Sequence, residues 1–387
     1  LNHHHATPSG KTRARGVGVP LLGQPGQWNA ITDVEGVEVG YTTLIEGEGP
    51  LVVGKGPVRT GVTAILPRGL AAATEGVYSA VFCLNGNGEM TGMSWIEETG
   101  RLDGPITLTN THSCGLSRDA TIKWLNQRKD SEHCDGNTFW LPVAAETCDN
   151  WLNDMNGFHI RDEHVFAAID GAQSGPIEEG SVGGGTGMSC YQFKGGSGTS
   201  SRKVRVGSRN FTVGAFVQSN FGIRQLCTIG GVPIGQYIPY TGGQIHRYLE
   251  DHQTDQGSLI IILATDAPLS PLQLKRLAKR AAIGMARSGG IASNESGDIF
   301  LAFSTANRET YGRLYDCGPS EAFGDFMITP LFEAAVQAVD EAILNSMFAN
   351  ETMVGRDGNI REALPIQLVQ DYLKAHNRWV DPNSKTV

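Results

Sequence analysis

The apolar positions of this chain follow two periods. Leu259-Ile260-Ile261-Ile262-Leu263 and Ile299-Phe300-Leu301-Ala302-Phe303 are near-continuous apolar runs, and Phe211 to Val217 is a third. Short unbroken runs of this kind predict strands buried on both faces. Ile31 to Leu44, Gly61 to Leu66, Val77 to Leu84 and Ile106 to Thr111 are β-branched and bounded by turn residues, and read as further strands. A 3.6-residue period takes over after Ser270-Pro271. There Leu272, Leu274, Leu277, Ala278, Ala281, Ala282 and Met285 predict a helix that Gly289 stops. Thr329-Pro330 opens a second helix, with Leu331, Phe332, Ala335, Val336, Val339, Ile343 and Met347 on one face. Shorter helices are predicted from Ser117 to about Arg128 and from Asp162 to about Ala168. Strands apolar on both faces need helices to cover them. The pattern therefore predicts one α+β domain over residues 1–387, with layered sheets and helices outside. Residues 1–25, punctuated by Pro and Gly, read as an extended N-terminal arm bearing Lys11, Arg13 and Arg15.

Composition changes this picture mainly through glycine, which supplies 50 of 387 residues. The glycines cluster without a period, as in Gly183-Gly184-Gly185-Thr186-Gly187 and Gly195-Gly196-Ser197-Gly198, and predict tight loops. The net charge is −9 and no block of Lys or Arg occurs, which argues against nucleic acid or an anionic membrane surface as partner. No apolar run is long enough for a transmembrane helix, and the N-terminal residues lack a signal-type apolar stretch. Cys83, Cys114, Cys134, Cys148, Cys190, Cys227 and Cys317 are scattered, without CxxC spacing. They predict neither a metal site nor a disulfide framework, and fit a reducing, cytoplasmic setting.

Candidate chemistry begins at Gly257-Ser258, where the polar stretch from about Thr241 to Gln256 meets the apolar run. The plain reading is a turn. The functional reading is a nucleophile at the mouth of a rigid buried strand, preceded by a residue that cannot shield its own carbonyl. If the Gly257-Ser258 bond is cut, Ser258 becomes an N-terminus. Its α-amine, with a pKa of ~7.7–8, can then serve as base for its own hydroxyl. Asn294-Glu295-Ser296-Gly297-Asp298 precedes the second buried run, and Ser296 and Asp298 are two apart at a strand start. They read either as an Asx-type turn or as a relay in which Asp298 orients Ser296. Asn220, in Gln218-Ser219-Asn220-Phe221-Gly222, reads as a turn residue or as an oxyanion donor.

These segments resemble the self-processing L-aminopeptidase/D-esterase-amidase and β-peptidyl aminopeptidase family. The resemblance runs along most of the chain, in order. It takes in Trp28-Asn29-Ala30-Ile31-Thr32-Asp33-Val34, Gly61-Val62-Thr63-Ala64-Ile65-Leu66-Pro67 and Asn85-Gly86-Asn87-Gly88-Glu89-Met90-Thr91-Gly92. It continues through Gly183-Gly184-Gly185-Thr186-Gly187-Met188 and Gly257-Ser258 to the stretch from Ser296 to Asn307. The resemblance implies an αββα four-layer sandwich like that of the N-terminal-nucleophile hydrolases, with different strand connectivity. It implies autocleavage at Gly257-Ser258 into an α chain of residues 1–257 and a β chain of residues 258–387, assembled as a homotetramer. Ser258, Ser296, Asp298 and Asn220 take the catalytic roles by that resemblance, and no metal or other cofactor is needed. The implied substrates are short peptides, amino-acid amides or esters with a free amine. Glu146 is implied to hold that amine, and Trp140 could wall the pocket or simply pack in the core. The family pattern Glu-Thr-Tyr-Asp reads Glu146-Thr147-Cys148-Asp149 here, so a phenolic hydrogen bond is lost, and either weaker activity or specificity moved toward bulkier substrates is expected.

Two other readings compete. One is an autoprocessed amidase or acyltransferase that needs no free substrate amine, a class that typically uses Thr as nucleophile. The other is a non-catalytic module whose glycine runs cradle an anion, but neither run ends in the Lys-Ser/Thr of a phosphate loop.

Overall fold

The computed structural model of the chain describes residues 2–128, 139–238, 257–308 and 319–384. The polar stretch from Thr241 to Gln256, Cys134 and Cys317 lie outside the described residues. The first sheet has the order β1-β2-β5-β6, from β1 (Glu38–Glu46), β2 (Val58–Leu66), β5 (Ile106–Asn110) and β6 (Val143–Thr147). The second has the order β4-β3-β12-β11-β10-β9. Its members are β3 (Val77–Gly86), β4 (Arg101–Leu102), β9 (Gly196–Val206), β10 (Arg209–Asn220), β11 (Ser258–Thr265) and β12 (Gly297–Ser304). Helices α1 (Cys114–Gln127) and α2 (Asp162–Asp170) cover the first sheet. Helices α3 (Pro271–Arg287) and α4 (Thr329–Phe348) cover the second and pack on each other. The result is a four-layer αββα sandwich.

The continuous apolar runs have a direct physical explanation. Along β11, Leu259, Ile261 and Leu263 enter the core shared with α3 and α4. Ile260, Ile262 and Ala264 enter the core between the two sheets. A period of two with two apolar destinations leaves no polar position in the middle of the strand. Helix α3 starts as its sequence predicts. The Ser270 hydroxyl accepts from the Gln273 N–H and the Gln273 side chain accepts from the Ser270 N–H, a closed capping box followed by Pro271.

Several expectations are corrected. Helix α1 begins at Cys114, so Ser117 lies inside it, its hydroxyl bonded to Thr107 at 2.9 Å. The Gly195–Gly198 run is not a loop. It opens β9, and a Cβ on Gly198 would collide with the Ala342 carbonyl of α4. The glycine there buys the close approach of helix to sheet. Gly183–Gly185 forms a buried turn packed on β2 and β5 rather than an open cradle. The arm of residues 1–25 is tied to the body of the protein. Arg13 pairs with Glu179 at 2.6 Å, and Arg15 and Arg202 both pair with Glu341, at 2.9 and 2.6 Å. Burial would raise the Glu341 carboxyl, but those guanidinium groups hold it well below the ordinary value. The N-terminus is thereby clamped to α4.

Candidate active site

Three neighbouring strands of the second sheet bring one side of the candidate site together. Ser258 is the first residue of β11 and only 5% exposed. In register, Asn220 of β10 lies directly opposite it on one side and Gly297 of β12 on the other. The Ser258 hydroxyl accepts from the Gly297 N–H at 3.2 Å. On either side of Gly297, the Ser296 hydroxyl donates to Asp298 Oδ1 at 2.8 Å, and the Asp298 N–H donates to Asn85 Oδ1 at 2.7 Å. Both Ser296 and Asp298 are fully buried. Ser258 is thus not a turn residue but part of the ladder. The residue before it is constrained in turn, because a Cβ on Gly257 would run into the Asn220 carbonyl and the Phe221 Cα.

The Asn220 carboxamide is gripped at both ends by backbone. Its Oδ1 accepts from the Ser189 N–H at 2.8 Å and its Nδ2 donates to the Cys148 carbonyl at 2.9 Å. One Nδ2 hydrogen remains available, since an amide nitrogen carries two.

The other side of the site hangs from the last strand of the first sheet. Glu146 lies in β6 and is 3% exposed. Its Oε1 accepts from the Glu89 N–H at 2.9 Å and its Oε2 from the Thr111 hydroxyl. The loop from Asn85 to Glu89 joins the two sides, for a Cβ on Gly88 would touch both Gly297 Cα and Glu146 Oε1. Burial raises the Glu146 carboxyl above its ordinary value, against the opposing pull of Thr111 and the Glu89 N–H. Burial likewise raises the Cys148 thiol, with Asp149 and Glu146 adding to the effect. A thiol so placed is not poised as a nucleophile. Its sulfur instead meets Met155 Sδ at 3.8 Å. Beyond it, Phe158 stacks on His112 with ring centroids 5.9 Å apart. Asp149, fully buried, is pushed up to about 7 by burial, with Thr60 and Asn153 opposing.

Trp140 does not join this group. It precedes β6 while Glu146 is near that strand's end, its indole donates to Asn126 at 3.1 Å, and it packs in the cluster of Trp124, Val165 and Ile169 under α1 and α2. Its packing reading is the one the geometry favours. Sequence reasoning missed Thr111, Glu89 and Ser189. Two of these act through backbone N–H groups, which leave no trace in residue type. Among the described residues no cluster of His, Cys, Asp and Glu could hold a metal, and no helix is long and apolar enough to cross a membrane.

Comparison with known proteins gives a consistent result. The family model for peptidase family S58 matches residues 29–361. The β-peptidyl aminopeptidase BapA of Sphingosinicella microcystinivorans is 49% identical over 373 residues, covering 95% of this chain and 93% of that protein. Among solved structures, the L-aminopeptidase D-Ala-esterase/amidase of Ochrobactrum anthropi superposes with a TM-score of 0.87 at 45% identity, covering 95% of this chain and 99% of that one. That protein is a prototype for the serine aminopeptidases and a new variant of the Ntn-hydrolase fold. A Burkholderia β-aminopeptidase gives a TM-score of 0.82 at 41% identity, covering 94% of this chain and 99% of that one.

Proposed function

The chain belongs to peptidase family S58 and is a serine-type aminopeptidase of the N-terminal-nucleophile kind, and from that premise we propose how its residues do the work. The chain cleaves itself between Gly257 and Ser258. The freed α-amine of Ser258 takes the proton of its own hydroxyl, with Ser296, oriented by Asp298, relaying it. Ser258 Oγ attacks the scissile carbonyl, and the spare Nδ2 hydrogen of Asn220 meets the oxyanion. The proton passes to the departing amine and an acyl-enzyme is left. Water then attacks the ester and restores the hydroxyl. Glu146 holds the ammonium of the N-terminal residue, so that residue alone is removed. With Cys148 and Met155 in place of a phenol, the wall beside the acyl group is soft and apolar and accepts bulkier side chains. Its assembly is a homotetramer and its setting cytoplasmic.

The observation that supports this reading is the register of three adjacent strands, which puts Asn220, Ser258 and Gly297 in one row with Ser296 and Asp298 behind it. Denaturing electrophoresis with N-terminal sequencing tests it. Two fragments are expected, the smaller beginning Ser-Leu-Ile, with hydrolysis of aminoacyl and β-aminoacyl p-nitroanilides. A single uncut chain with full activity would overturn it.

A further inference from the structure

A buried lysine stands behind the oxyanion side of the site. Lys194 is fully buried, and its ammonium donates to the carbonyls of Met188 at 3.0 Å and Gly195 at 2.7 Å. The charged groups that face it are Lys11 and Arg361, with the Cys190 thiol beside them. Burial and those two cations lower it to about 7. A lysine is seldom buried against backbone carbonyls unless something depends on it.

What depends on it is a small hairpin of β7 (Ser189–Cys190) and β8 (Phe193–Lys194). Its two turn residues, Tyr191 and Gln192, both have positive φ, at 50° and 59°. That is the backbone of a tight two-residue hairpin, and side chains other than glycine are strained in it. The strain is held from outside. Arg224 donates to the Tyr191 and Gln192 carbonyls at 2.8 and 2.7 Å, and the Tyr191 N–H donates to Phe221 just past the end of β10. At the open end, Lys194 draws together the carbonyls of Met188 and Gly195, while the Gly195 N–H also donates to Met188. The next N–H after Met188 is that of Ser189, which is the donor to Asn220 Oδ1. Arg361 holds the Ser189 hydroxyl at 2.7 Å. The chain of contacts runs from the Lys194 ammonium through Met188 and Ser189 to the Asn220 carboxamide.

We propose that Lys194 is a positioning residue for the reaction, fixing the Ser189 N–H that aims the Asn220 amide at the developing oxyanion. This rests on the reading of Asn220 as the oxyanion donor. An amide free to swing would still bind substrate but would meet the oxyanion poorly. The effect therefore belongs in kcat, not in KM.

A double-mutant cycle tests it, with rates normalised to chains cleaved before Ser258. Lys194→Met is expected to lower kcat by about tenfold to a hundredfold with KM nearly unchanged, and Asn220→Ala by about a hundredfold. In the Asn220→Ala background Lys194→Met is expected to cost less than about twofold, because its route of action is already gone. Lys194→Gln, which keeps an amide donor, is expected to fall between wild type and Lys194→Met, and it replaces the Met variant in the cycle if that variant does not fold. The same loss from the Lys194 change in both backgrounds would overturn the proposal, as would a loss confined to KM. If Asn220→Ala alone leaves kcat intact, the oxyanion assignment itself falls, and that outcome is separate from additivity.

Discussion

Ser258, Asn220 and Asp298 stand at the ends of three adjacent strands of one sheet, whereas Glu146 and Cys148 leave the edge strand of the other. The main chain of the first group is placed by ladders between two apolar cores, so its backbone cannot move without disturbing β10, β11 and β12 together. In the second, β6 is laddered to β5, but the Glu146 carboxylate is placed by single hydrogen bonds from Thr111 and the Glu89 N–H, and burial has raised its pKa. The contrast teaches a division of labour. The proposed mechanism seats chemistry at the strand ends of the second sheet, and recognition at the Glu146 side chain, where one proton changes the outcome. Loss of the Ser258 hydroxyl should be close to all-or-none, and losses at side chains held by one or two hydrogen bonds, Asn220 and Glu146 alike, graded.

Ser258→Ala is the sharpest way to break this contrast. It should abolish both self-cleavage and hydrolysis, a drop of at least about a thousandfold in kcat. Retained cleavage, read by electrophoresis, would place the nucleophile elsewhere. Gly257→Ala comes next. Its new Cβ would collide with the Asn220 carbonyl and the Phe221 Cα, both backbone atoms of the rigid side. The scissile peptide would have to shift, and self-cleavage should slow by about a hundredfold, as misplacement of a reacting group by about 1 Å does. Cleavage at the normal rate in a time course would show that this end of the second sheet is softer than its ladders suggest.

What could be read from the sequence divides along the same line. β11, β12, α3 and α4 were legible because their apolar periods are long and their starts are marked, by Gly-Ser, Ser-x-Asp and the Ser270 cap. β6 was not, because Val143-Ala144-Ala145-Glu146-Thr147 is short and built of small side chains. β9 was hidden for a different reason. Its buried face is polar, and its hydroxyls are satisfied by distant carbonyls, Thr199 by Ala215 and Ser200 by Ala338. Ser and Thr can line a core once each finds a partner, but no local pattern announces the partner. The same holds for the site. Ser258 announces itself at the start of an apolar run, and Ser296 and Asp298 as neighbours in sequence, while Ser189 and Thr111 reach their partners only through the fold.

Glu146→Gln sharpens the graded side. The amide can still accept from the Glu89 N–H but cannot hold an ammonium by charge. KM for substrates with a free amine should rise by about tenfold to a hundredfold, and N-acylated substrates should change far less. Equal losses on both would remove Glu146 from its assigned role. The sign of the pH effect follows from its raised carboxyl. Binding needs the ionised form, so in the wild type KM should climb on acidification from a pH above the ordinary carboxylate range, and the Gln variant should lack that climb.

Asp149 offers the smallest and most diagnostic effect, since it follows the residue whose carbonyl holds Asn220. Its carboxyl is buried, accepts from Asn153 Nδ2 at 3.0 Å, and is raised from 3.8 to about 7. Below the ordinary value both folded and unfolded chains hold the proton. Between there and about 7 only the folded chain does, so stability falls as pH rises across that window and levels off above it. Asp149→Asn keeps the shape of the protonated acid and removes the proton. The variant should gain on the wild type by roughly 1 kcal/mol between pH 5 and pH 8, part of the ~1.4 kcal/mol per pH unit that full coupling would supply. Urea unfolding at the two pH values measures this. Identical pH slopes for variant and wild type would mean that Asp149 is already ionised at pH 5, and that the turn beside Asn220 is held by charge rather than by a neutral buried acid.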